Sequence, residues 1–274
     1  MSSLEARYLD LRSQSVPLDI VGDVHGCIDE LIELLARLGY GVRLEGEGEG
    51  RRAITSAPAG RRLVLVGDLV DRGPSTPDVL RVVMAMVEAG QAWSVPGNHD
   101  NKFMRWLQGR PVKLTHGLEV SVEQMQAEPP GFHDRVRAFV ESLPHYLWLD
   151  RGDLVVAHAG IKEHMIGETR ESVRHMCLFG DTDNERDHLG LTIRYHWAAE
   201  YRGPTHVVYG HTPVPEVGWV NRTLCIDTGA VFGGSLTALR WPEREIVSVP
   251  ARAAYAASRK PFGHPQPRQS NPVD

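Results

Sequence analysis

LDIVGDVHG at 18–26, RRLVLVGDLVDRGP at 61–74 and AWSVPGNHD at 92–100 repeat one pattern. Each is a short apolar run, then a glycine, then an acidic, amide or imidazole side chain. An apolar run of four to six residues stopped by glycine reads as a strand buried on both faces. Helical spacing follows the first two. CIDELIELLARL (27–38) places Ile28, Leu31, Leu34, Leu35 and Leu38 on one face before Gly39, a natural helix stop. PDVLRVVMAMVEA (77–89) opens on Pro77, which suits a first helical turn. Strand–helix–strand–helix–strand within one hundred residues predicts an α/β fold with a parallel core. In such sheets, sites gather at the carboxyl ends of strands, where all three polar clusters fall.

The second half reads differently. Residues 101–142 are mostly helical in pattern. YLWL (146–149) and DLVVAH (153–158) suggest a hairpin about Arg151–Gly152. Residues 161–200 are polar and irregular. From 206 onward HVVYG, VGWV, LCID, SLTALRW and IVSVP are strand-like. These predict a second, more antiparallel sheet. The expected architecture is α/β, with two mixed β-sheets in a sandwich flanked by helices. One domain is expected over 18–255. Residues 1–17 read as a peripheral N-terminal arm ending in Pro17, and 256–274 as a Pro-rich, poorly ordered tail.

Composition limits the function classes. The 274 residues are 42% hydrophobic and 24% charged, which suits a globular domain with a full core. Thirty Lys and Arg against 35 Asp and Glu give a net charge of −5, which excludes an extensive nucleic-acid-coating surface. Cys27, Cys177 and Cys225 are odd in number and widely spaced, so they read as reduced thiols in a cytoplasmic protein. No apolar run approaches the roughly 18 residues of a membrane span, and no signal peptide opens the chain.

The loops carry the chemistry. Asp23, His25, Asp68, Asn98, His158 (in AHAG) and His211 (in GHT) each lie beside glycine or another small residue after an apolar run. Carboxylate, amide oxygen and imidazole are the ligand set for manganese, iron, zinc or cobalt. Six donors are too many for one ion. With one carboxylate shared they suit two ions, the arrangement that hydrolyses phosphate esters. Taken singly, each loop has a plain reading: an Asp after a strand caps a helix, and a lone His is a packed side chain. The ordered set is far less ambiguous. There is no GxxxxGK[ST], GxGxxG or GxSxG stretch, so those routes to nucleotide binding or serine hydrolysis are unsupported.

GDVHG, GDLVDRG, GNHD, HAG and GHT in this order resemble the calcineurin-like metallophosphoesterases, and within them the phosphoprotein-phosphatase branch. The resemblance covers about residues 18–250. VVYGHTPV (207–214) and IDTGAVFGGSLTALR (226–240) are similar to the phosphatase domain of bacterial polynucleotide kinase-phosphatase and to bacterial diadenosine tetraphosphatases. The resemblance implies Asp23 and His25 on a first metal, Asp68 bridging, and Asn98, His158 and His211 on a second. It implies manganese foremost, with iron, zinc, cobalt or nickel as substitutes. His99 would protonate the leaving oxygen, Asp71 would orient His99, and Arg72 would grip the phosphate. Asp227 would be a supporting carboxylate near His211. The reaction would be in-line attack by a metal-bridging hydroxide, with no phosphoenzyme. Symmetrically cleaving diadenosine tetraphosphatases typically carry Ala at the second Asp of GDLVDRG. This chain keeps Asp71, which tilts away from that subtype.

Three functions follow. The first is a two-metal phosphatase acting on monoesters or anhydrides of nucleotide type: dinucleoside polyphosphates or polynucleotide terminal phosphates. The second is a serine/threonine protein phosphatase acting on a phosphorylated peptide. The third, a non-catalytic binding module, would be expected to have lost ligands, and none is missing. Arg105, Arg110, Arg174, Arg194 and Arg202 are candidates for further phosphate contacts, weighed against plain solvated charges. The oligomeric state is left open.

Overall fold

The computed structural model describes residues 6–183, 185–187, 190, 192–258 and 260–265. In chain order the elements are β1 (Tyr8–Asp10), β2 (Leu18–Val21), α1 (Ile28–Leu38), β3 (Gly41–Glu45), β4 (Arg52–Ser56), β5 (Arg62–Leu65), α2 (Thr76–Glu88) and β6 (Ala92–Ser94). Then come α3 (Asn98–Leu107), α4 (Leu118–Gln126), α5 (Pro130–Ser142), β7 (Tyr146–Leu149), β8 (Leu154–Ala157), α6 (Glu171–Phe179) and α7 (Trp197–Glu200). The chain continues through β9 (His206–Tyr209), β10 (Trp219–Val220), β11 (Thr223–Cys225), β12 (Asp227–Thr228), β13 (Ser235–Trp241) and β14 (Glu245–Pro250).

Two six-stranded sheets form a sandwich. One has the order β12-β13-β2-β5-β6 with β14 beside β13, and the other β1-β7-β8-β9-β11-β10. Strands β2, β5 and β6 are parallel to one another, as are β8, β9 and β11. Each sheet therefore sends three strand ends to one rim of the sandwich. Alternation along the strands sorts the core. Ile20, Val64, Val66, Val156 and Val208 fill the space between the sheets. Val21, Leu63 and Leu65 face the other way, onto α1 and α2. Tyr146, Val155 and Ala157 face α6 and α7. Period-two exposure of both faces to apolar neighbours is why these runs carry almost no polar residues.

Several expectations change in detail. The late antiparallel strands β12, β13 and β14 join the first sheet rather than forming the second, because β13 pairs with β2 (Leu239 opposite Ile20). The second sheet is half parallel. The region 161–200 contains α6, whose Val173, Met176 and Cys177 form too short a stripe to stand out among polar flanks. The stretch 1–17 is no loose arm from Ala6 onward. β1 pairs with β7, Tyr8 stacks on Tyr146 at 4.9 Å, and Leu11 is buried. Three residues on a sheet edge leave no periodic signal to read. In the stretch 256–274, Gly263 N–H donates to Pro213 O at 2.8 Å and His264 stacks on His196. Residues 266–274 lie outside the described residues. The three cysteines are buried and unbridged. Among the described residues no helix is long and apolar enough to cross a membrane.

One polar group interrupts β2 at the end remote from the rim. Asp19 is fully buried and accepts from Arg61 Nη2 at 3.0 Å, Arg240 Nε at 3.2 Å and Tyr40 OH at 3.1 Å. Removing one partner of a buried ion pair leaves the others uncompensated. Asp19→Ala should therefore lose about 3–5 kcal/mol in urea unfolding. A loss below about 1 kcal/mol, as for exposed pairs, would show that solvent already screens the two guanidinium groups.

Candidate metal centre

The loops after β2, β5 and β6 meet those after β8, β9 and β11 at the shared rim. Backbone bonds stitch them together: His25 N–H to Asp68 O at 2.8 Å, Gly26 N–H to Leu69 O at 2.9 Å, and Gly210 N–H to His158 O at 2.8 Å. Helices α1 and α3 start in or directly after these loops, and α2 starts three residues past Gly73. The positive ends of three helix dipoles therefore face the rim, a setting that favours anions.

Asp68 holds the centre. Its Oδ1 accepts the His99 amide at 2.9 Å and lies 3.5 Å from His158 Nε2, while its Oδ2 lies 3.5 Å from His25 Nε2. Two groups of donor atoms share it: His25, Asp68 and His99, and Asp68, His158 and His211. The rings are held in ligating tautomers. His25 Nδ1 faces Val70 O at 2.8 Å and His158 Nδ1 faces Val66 O at 3.0 Å, so in each ring Nδ1–H donates outward and Nε2 points inward. His211 Nδ1 and Asn98 Oδ1 approach His158 Nε2 at 3.0 and 3.1 Å. Asp23 lies beside Asp68 and Asp227, and its carboxylate accepts the His211 amide at 3.0 Å. It belongs to neither three-ligand group.

His99 differs from its sequence reading in one respect. Its Nδ1 meets Asp71 Oδ2 at 2.6 Å, as an orienting carboxylate requires. Its Nε2, however, is close enough to His25 and Asp68 to count among the donors. Arg72 spans the two rings, with Nη1 2.6 Å from His25 Nε2 and Nη2 2.8 Å from His99 Nε2, and its guanidinium lies 5.1 Å over the Phe232 ring. Asp227 accepts the Gly229 amide at 3.0 Å.

The loop backbones are strained. His25, Asp68, Asp71, Arg72 and His211 all have positive φ, between 44° and 77°. Each such residue costs of order 1 kcal/mol or more, and such strain persists only where the surroundings over-determine it. Two glycines show how tightly. A Cβ on Gly97 would lie 1.9 Å from Asp68 Oδ1, and one on Gly210 1.9 Å from Asp23 Oδ1.

Burial dominates the electrostatics. It pushes Asp68 and Asp227 up to about 7 and Asp71 to about 8, and raises Asp23 well above the usual range, helped by its carboxylate neighbours. The same burial, with Arg72 adding repulsion, holds His25 and His99 well below the imidazole range, and lowers His158 to about 4. Neutral imidazoles are the ligating form. Crowded carboxylates faced by the Arg72 and Arg194 cations call for added positive charge. Divalent ions fit this donor set. Cys27 is buried, its thiol raised by burial, so it is packing rather than a nucleophile.

Two groups were undervalued by sequence reading. Arg194, weighed as a solvated charge, faces Asp68, Asp227 and Asp23 and lines a small cavity with His211. It lies in an irregular segment with no local signal. Asp100, the last residue of GNHD, accepts from Leu69 N–H at 2.9 Å and Gly97 N–H at 2.8 Å, tying α3 to the second loop. Its place three residues into the helix marks it as a cap. Arg202, by contrast, bonds the Ala199 and Tyr201 carbonyls, away from these donors.

The glycine contacts give a test. Neither glycine needs positive φ, so alanine would act by displacing the neighbouring carboxylate, together with the Asp68 backbone nitrogen in the case of Gly97. Gly97→Ala and Gly210→Ala should each weaken manganese binding about 10–100-fold by calorimetry, with far-ultraviolet circular dichroism unchanged. Unchanged affinity would remove Asp68 and Asp23 from the ligand set.

Known proteins are similar to this chain in sequence and fold. The sequence profile of the calcineurin-like phosphoesterases matches residues 16–231. The asymmetrical bis(5'-nucleosyl)-tetraphosphatase PrpE of Geobacillus sp. (strain WCH70) is 43% identical over 88% of this chain and 97% of its own. The enzyme of that name from Bacillus subtilis (strain 168) is 44% identical, with the same shares covered. A crystal structure of a protein described as a "putative diadenosine tetraphosphatase" superposes with a TM-score of 0.64 at 26% identity, covering 90% of this chain and 98% of that one. A yeast serine/threonine phosphatase superposes at 0.58 with 13% identity, over 95% of this chain and 86% of that one, a likeness of fold alone. With its fold, its clustered donors and these relatives in agreement, the chain belongs to the calcineurin-like phosphoesterase family.

Proposed function

We propose that this enzyme hydrolyses a phosphoanhydride bond of dinucleoside polyphosphates, cutting diadenosine tetraphosphate away from the middle of its phosphate chain. The observation that carries the chemistry is Asp68 set between two imidazole groups, with the His99–Asp71 pair and Arg72 alongside. The substrate rests on the printed names of the relatives. The retained Asp71 supports the asymmetrical cut.

His25, Asp68, Asn98, His158 and His211 would hold two divalent ions, manganese foremost, with Asp23 or His99 completing the first. Bound there, the ions acidify water and neutralise charge on the phosphoryl oxygens. The chain's own groups do the rest. Arg72 offers a planar fork for two phosphate oxygens, and Arg194 adds a second positive charge on the side of His211. The three helix N-termini favour the same anion. The proton for the leaving oxygen would come from His99 Nε2, in the tautomer in which the Asp71 carboxyl, raised to about 8 by burial, donates to Nδ1, and with Arg72 turned from Nε2 to the phosphate. Burial keeps water from competing for these contacts.

Product chromatography tests the cut. Incubation with diadenosine tetraphosphate and manganese should give unequal nucleotides, ATP and AMP. ADP alone would overturn the asymmetrical reading. Chelation should abolish turnover and added manganese should restore it. His99→Ala should lower kcat about 10²-fold or more while two metal ions per chain remain. It should cost less on p-nitrophenyl phosphate, whose leaving group needs little protonation. Loss of a metal ion from this variant would make His99 a ligand instead.

A further inference from the structure

One cavity among the described residues is lined by none of the candidate metal ligands. It has a volume of about 400 Å³ and lies between α3, the end of α5, α6 and the start of β1. Arg7, Arg110 and Arg174 line it, and Arg105 lies close enough to repel Arg174. Among the described residues none of these four forms an ion pair. The Arg7 guanidinium donates to the Glu141 and Leu143 carbonyls, and that of Arg174 to Asn101 Oδ1 at 2.9 Å. Two carboxylates are near. Glu141 is engaged by Gln108 Nε2 at 2.6 Å, and Glu171 favours the charge on Arg174 without pairing with it. Like charges gathered around a half-buried space are costly unless an anion joins them.

The wall asks for more than an anion. Gln108 Oε1 is buried and has no hydrogen-bond partner among the described residues, an acceptor in want of an N–H. His145 accepts the Arg7 amide on Nδ1 at 2.9 Å, so its remaining ring proton sits on Nε2 as a donor. Met104, Val140 and Leu143 supply an apolar side. The volume falls in the range of small-molecule sites and is generous for orthophosphate. A molecule with an anionic end, a flat apolar body and an amino group has the chemistry of a nucleotide.

We propose that this cavity is a second nucleotide site, binding the phosphate through Arg7, Arg110 and Arg174 and the base amino group through Gln108. Binding here stands apart from the metal-centre reading. Asn101 follows the donor Asn98 by three residues on α3, a rise of about 4.5 Å. Helix α3 thus carries both a candidate metal donor and part of the cavity wall. The nucleotide then comes from one of two sources: the far half of a dinucleotide substrate, a source that does rest on the proposed function, or a separate mononucleotide.

Phenylglyoxal labelling of the manganese-loaded protein, read by peptide mass spectrometry, tests the site. The methylene-bridged analogue of ATP should protect Arg110 and Arg174 several-fold, and equal orthophosphate should not. Arg110→Gln, an exposed change that breaks no hydrogen bond, should weaken nucleotide binding about tenfold by calorimetry. Labelling unchanged at saturating nucleotide, or affinity unchanged in the variant, overturns the proposal. The methylene-bridged dinucleotide separates the sources. If it protects both arginines and excludes the ATP analogue, the site holds the far half of the substrate. If both ligands bind together, it holds a separate nucleotide. Neither readout depends on turnover, so failure of the hydrolysis assay would leave this result standing.

Discussion

Everything at the rim depends on the burial of Asp68 between two sets of imidazoles. A carboxylate in that position is held by one backbone amide, that of His99, and by its ring neighbours. With Asp23 and Asp227 close by, the site concentrates negative charge where solvent cannot spread it. The fold accommodates this because positive charge converges on the same point: two guanidinium groups, three helix N-termini and, under the function proposed, divalent ions. The site is organised around an electrostatic demand, and the two sheets are the frame that keeps the demand unrelieved by water.

That frame works because each sheet contributes strand ends on the same side. The Val66 carbonyl at the end of β5 orients His158 from the other sheet, and the His211 amide from the second sheet holds Asp23 from the first. These contacts cross the sandwich, so neither half builds the site alone. Strained loops, close glycine contacts and the buried Asp100 cap stiffen the same few residues. Stiffness is what allows neutral imidazoles and crowded carboxylates to keep ligating geometry.

Much of this was legible in the chain. The apolar runs at 18–21, 61–66 and 92–95 and the stripe of α1 have periods that local sterics enforce, and the structure follows them to within a residue at each end. The polar loops were legible because glycine, Asp and His recur at strand ends in one order. What was not legible was short or remote. β1 has three residues and owes its place to β7, far along the chain. β13 could have closed either sheet; only its pairing with β2 assigns it. Arg194 sits in a segment without periodicity, and its partners are carboxylates distant in sequence.

The polar loops at the strand ends and the candidate donors Asp23, His25, Asp68, Asn98, His158 and His211 were readable from residue type and local spacing, and the His99–Asp71–Arg72 set from the family resemblance. Which imidazole nitrogen faces inward, that Asp23 meets the His211 amide and that three arginines line a cavity beside α3 were decided by the tertiary structure. Those are distances between residues far apart along the chain. They are set by how two twisted sheets and their helices pack, and no local pattern encodes that packing.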